Sequence, residues 1–120
     1  MSDARPFNRH EQMLIKLVAE RLTEGPRQQL LSDMANGLVR EEGDFLRVEL
    51  PNYERSKYRG HQNLPFEGKL HDLQGGPVSV LLNTENDRLL EIEFIWWSSP
   101  SGTDLNWSTL EIADATRSRW

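Results

Sequence analysis

Glu91 and Glu93 stand two residues apart in Arg-Leu-Leu-Glu-Ile-Glu-Phe-Ile-Trp-Trp, so on an extended strand they share one face. Paired carboxylates do acid–base work when one is buried and its pKa raised. Nothing in the sequence builds a cleft about this pair, and strand glutamates are ordinarily solvated. The three histidines, His10, His61 and His71, fall at a helix start, in a loop and at a strand end. No two have the His-x-x-x-His spacing of a metal site, and the adjacent His71 and Asp72 diverge on a strand. There is no Gly-x-Ser-x-Gly elbow, and Gly75-Gly76 lacks the Lys-Ser/Thr and helix of a phosphate loop. The absence of cysteine removes thiol nucleophiles, disulfides and zinc–thiolate sites. These residues predict a chain with no enzymatic activity, no metal and no cofactor.

Two further groups fit binding. Tyr53, Arg55, Lys57, Tyr58, Arg59 and His61 form a basic loop with interleaved aromatics, a pattern that grips phosphates and stacks bases. The domain around it is acidic, so nucleic acid or a nucleotide is the alternative partner only. The second group is the tryptophans. Trp96, Trp97, Trp107 and Trp120 are many for 120 residues. Trp97 falls in phase with Glu91, Glu93 and Ile95, and Asp104 and Trp107 follow one turn later. Carboxylates around an aromatic anchor suit a basic protein partner.

The elements that must position these groups are an antiparallel meander and a helix. Leu64 to Trp97 holds three apolar runs separated by Leu-Gln-Gly-Gly-Pro and Thr-Glu-Asn-Asp turns. Leu90, Ile92, Phe94 and Trp96 alternate toward the core, matched by Val78, Val80 and Leu82 and by Leu64, Phe66 and Leu70. Gly68 reads as a bulge in the first of these strands. Upstream, Leu38–Glu41 and Phe45–Leu50 form two more strands around Glu42-Gly43-Asp44. Asn8 caps a helix with Glu11 at the capping-box position, and Leu14, Ile15, Leu17, Val18 and Leu22 make its apolar stripe. Gly25-Pro26 is expected to stop that helix, and Arg27–Met34 to form a short second one.

The prediction is one α+β domain over 1–120. It has a helical part at 1–34, and an antiparallel sheet of about five strands at 38–97 with a polar loop at 51–63. A C-terminal segment at 98–120 holds a last strand or helix, and the N-terminal helix packs across one face. No apolar run reaches a membrane span and no signal core precedes the domain, so a cytoplasmic protein is expected. The net charge is −5. It is unevenly spread: residues 51–71 carry +2 and residues 77–120 carry −4, which places a negative field on the later strands.

Two stretches carry a family likeness. Asp33-Met34-Ala35-Asn36-Gly37-Leu38 resembles an Asp-Met-Asn-Asp-Gly-Gly turn. Gly76-Pro-Val-Ser-Val-Leu-Leu-Asn83 and Leu89-Leu-Glu-Ile-Glu-Phe-Ile-Trp96 resemble a Gly-Val-Pro-Val-x-x-x-Leu-Asn strand and a Leu-Phe-Glu-Leu-Asp-x-Trp strand. All three motifs are found in a family of uncharacterised small bacterial proteins seen near polymorphic toxin genes. The resemblance covers roughly a third of the chain. It implies a helix-plus-sheet protein without catalytic residues that acts as an immunity protein, neutralising a cognate toxin domain. Glu91, Glu93, Ile95, Trp97, Asp104 and Trp107 are the expected contact residues. Their competing cover is the C-terminal segment or a second copy of the chain in a homodimer or a larger homo-oligomer.

Overall fold

The structure is a computed structural model, and it describes residues 3–54 and 62–115. Two helices, α1 (Arg9–Arg21) and α2 (Glu24–Asn36), precede seven strands: β1 (Leu38–Glu42), β2 (Phe45–Glu49), β3 (Gln62–Asn63), β4 (Phe66–Asp72), β5 (Pro77–Glu85), β6 (Arg88–Trp96) and β7 (Leu105–Asp114). All the strand pairings are antiparallel. The order is β1-β2-β6-β5-β4-β7, with β3 also pairing with β5. The fold is therefore α+β, with seven strands rather than about five. Pro65 accounts for one extra strand: it splits the first run of the meander, so β3 and β4 pair in turn along one edge of β5. The other is β7, which settles the C-terminal segment as a strand on the far side of β4.

Helix α1 starts as its sequence dictates. The Asn8 side chain accepts from the Glu11 N–H at 2.8 Å, and the Glu11 carboxylate accepts from the Asn8 N–H at 2.9 Å. Arg5 adds a two-pronged ion pair to Glu11, at 2.9 and 2.8 Å. Leu14, Ile15 and Val18 are fully buried. Gly25-Pro26 does not stop this helix. Leu22 ends it, and the Arg27 guanidinium donates to the Ala19 and Leu22 carbonyls. Pro26 sits in the first turn of α2, where a backbone N–H has no helical acceptor to lose.

Gly68 is not the bulge of β4. The register shift in the pairing with β7 lies between Lys69 and His71. A Cβ on Gly68 would meet Leu14 Cδ1 at 2.7 Å and Leu110 Cδ1 at 3.1 Å, so the glycine lets α1 press on the sheet. Val78, Val80 and Leu82 pair with Trp96, Phe94 and Ile92 to carry the core across β5 and β6. Leu90 leaves that row: the β5–β6 register shifts between Asn83 and Thr84, and Leu89 joins the core cluster instead. Asp33 ties α2 to β6. Its carboxylate, 1% exposed, accepts from the Leu89 N–H at 3.0 Å and from Arg88 at 3.1 Å. The β5–β6 hairpin turns through Asn86 and Asp87, both at positive φ, as a two-residue I′ turn requires. No helix among the described residues is long and apolar enough to cross a membrane.

Candidate functional site

The sheet's second face, away from the core row, follows from the register. One row runs Glu111, Lys69, Ser79, Ile95 across β7, β4, β5 and β6. The next pairs Leu81 with Glu93 and Glu93 with Phe45, and another runs Asn83, Glu91, Arg47. Glu91, Glu93 and Ile95 therefore share this face, as strand alternation predicts. Trp97 joins them at the end of β6. Its N–H donates to the Pro77 carbonyl at 3.1 Å, and its indole N–H donates to Ser79 Oγ at 2.9 Å.

The four residues differ in availability. Trp97 is 48% exposed. Glu93 and Ile95 are half-buried. Glu91 is buried, with the Asn83 amide donating to its carboxylate at 3.1 Å. A pair of glutamates that looks equivalent in sequence is thus one interior carboxylate and one at the surface.

Asp104 and Trp107 lie elsewhere. Trp107 stands edge-on to His10 of α1, ring centres 5.2 Å apart, and edge-on to Phe94 at 6.4 Å. It packs against the hydrophobic core on the helix side of the sheet. Both residues line a groove of about 470 Å³ whose wall includes Phe94 and Trp96 together with Arg5, Glu11 and Glu41. The expected six-residue surface is therefore two surfaces. Sequence phase could not show this, because the turn at 98–104 resets it and β7 runs beside β4, not β6.

No protein-family model, curated protein or solved structure matches this chain.

Arg55, Lys57, Tyr58, Arg59 and His61 of the basic loop, and Trp120, lie outside the described residues. Tyr53 is described. Its hydroxyl donates to Glu85 Oε2 at 3.1 Å and its ring faces the Arg88 guanidinium at 4.9 Å, and burial is the main cause that raises its pKa. Among the described residues no three His, Asp or Glu side chains come together in a way that could hold a metal ion.

Asp72, which the sequence offers only as the neighbour of His71, closes the β4–β5 turn. One of its carboxylate oxygens accepts the N–H groups of Gln74 and Gly76, both at 2.9 Å. Its carboxyl is held below its ordinary value. The Ser99 hydroxyl is the main cause, the two N–H donors and His71 assist, and burial opposes them. The Asp-x-x-Gly-Gly spacing is the signal that could have found this turn-closing carboxylate.

Proposed function

We propose that this chain is a protein-binding module of the immunity type, which occludes the active surface of a basic toxin domain. The observation that carries the reading is Trp97. A ring about half exposed is nonetheless fixed by its bond to Ser79, so its contact area is offered with little rotamer entropy left to lose. Tryptophans in that state are the usual anchors of interfaces. Ile95 extends the apolar patch and Glu93 sets a carboxylate beside it. The net charge of −5 favours encounter with a cationic partner.

The test is co-expression with the product of the neighbouring open reading frame. That product should arrest growth alone and be neutralised by this chain. Trp97→Ala should fail to neutralise it while accumulating to the level of the native chain. A neighbour without toxicity, or full protection by Trp97→Ala, would remove the support for this reading.

A further inference from the structure

We propose that the groove beside Trp107 is a second recognition site, one that seats an arginine side chain of a basic polypeptide. The idea rests on the protein-binding reading above for the source of the arginine, and on different residues for the site. Three rings form the wall. Phe94 and Trp96 lie 6.0 Å apart with a 33° tilt, and Trp107 stands at 87° to Phe94. Trp107 meets Phe94 edge-on, and the three half-buried rings together turn an aromatic wall to the groove against which a cation can lie. A guanidinium is favoured over an ammonium because it is planar, weakly hydrated and stacks on aromatic faces.

The charged groups around the groove sum to a negative field. Its charged lining is Arg5, Glu11, Glu41 and Asp104, a net −2. Arg5 is committed: it pairs with Glu11 at 2.8 Å and reaches Glu41 at 3.4 Å. Asp104 is exposed and takes part in none of the ion pairs among the described residues. The positive end of α1 also points here, but the capping box and Glu11 satisfy its first turn. At about 470 Å³ the space is that of an ordinary ligand pocket, larger than a guanidinium and able to take its methylene stem as well. The guanidinium would lie against the rings with its N–H groups directed to Asp104 and Glu41 at the rim, and its stem would lead out of the groove. Strand β7 adds Leu105 and Trp107 to the wall that Phe94 and Trp96 of β6 begin.

The experiment uses the full chain, labelled for NMR of the tryptophan indole N–H groups, with each signal assigned by a single Trp→Phe substitution. The probe is acetyl-Gly-Arg-Gly-amide, compared with its citrulline counterpart and with ethylguanidinium. The arginyl peptide should shift the Trp96 and Trp107 signals and leave Trp97 still, with a Kd on the order of 0.1–1 mM. The neutral citrulline peptide should bind at least about tenfold more weakly. Asp104→Asn and Glu41→Gln, both at exposed positions, should each weaken the peptide by about threefold or more with Tm unchanged. Equal binding of the citrulline peptide overturns the cation assignment. Equal binding of ethylguanidinium overturns the polypeptide source. Shifts confined to Trp97, or none at all, overturn the site. The same titration on Trp97→Ala should be unaltered, so failure of the groove and failure of the Trp97 surface are told apart.

Discussion

Trp97 and Trp107 are ten residues apart and stand on opposite sides of one sheet. Trp107 is wedged between His10 and Phe94 and contributes to the core. Trp97 is held by one hydrogen bond to Ser79 and leaves about half of its surface outside. The same residue type thus serves packing on one side and presentation on the other. What decides between them is whether a helix lies above: α1 covers the β4–β7 side, where Gly68 lets Leu14 close in. The carboxylates divide likewise. Asp33 and Glu91 are interior and partnered, while Glu93 and Asp104 remain at the surface.

The largest losses are expected on the helix side. Asp33→Ala removes the acceptor of the Leu89 N–H and the partner of Arg88, and should cost about 3 kcal/mol, read as a lower urea midpoint with unchanged m. Trp107→Ala should cost about 2–4 kcal/mol by thermal unfolding, since a ring packed on the core is lost. Gly68→Val comes next. Its side chain would overlap Leu14, and about 1–3 kcal/mol of stability should disappear, in part recovered by pairing it with Leu14→Ala.

On the opposite face the expected effects are smaller and differ between neighbours. Glu91→Lys places a cation against the Asn83 amide in a buried position, so Tm should fall by several degrees. Glu93→Lys should leave Tm within about 2 °C and instead slow association with a basic partner, most at low salt. Equal losses for the two would mean that the face is uniformly interior. The smallest effect concerns Asp72. Its folded pKa is depressed, so it binds fewer protons than in the unfolded chain at mildly acidic pH. Its contribution is complete above the ordinary carboxyl pKa of about 3.9 and fades as pH falls through the lower folded value. Asp72→Asn should therefore flatten the loss of Tm between pH 5 and about pH 2.5.

Much of the fold was legible because its signals were local. The Asn8–Glu11 capping box, the Leu14–Val18 stripe and the alternation from Val78 to Trp96 each specify an element from within a few residues. The misreadings came from features that depend on distant chain. Pro26 reads as a stop in sequence because its place in a first turn shows only once α2 is seen to begin at Glu24. Leu90 slipped out of phase through a bulge opposite Asn83. Gly68 reads as a bulge in sequence, whereas its reason is the approach of Leu14, more than fifty residues earlier. For the site, strand phase grouped Glu93, Ile95 and Trp97 correctly. It could not see that Glu91 is buried, nor that the turn after Trp97 carries Asp104 and Trp107 to the helix side. The Asp33 carboxylate shows in sequence only as part of a turn motif, although it is the tether of α2.

On the proposed function, Trp97 is a preformed contact surface and not a core residue. One paired measurement addresses it: the Tm of Trp97→Ala and its dissociation rate from the neighbouring gene's product, both against the native chain. The expected outcome is a Tm within about 3 °C, for a cost below about 1 kcal/mol, and an off-rate raised by about tenfold or more. A variant that unfolds, or one that dissociates at the native rate, would rule out Trp97 as the contact surface.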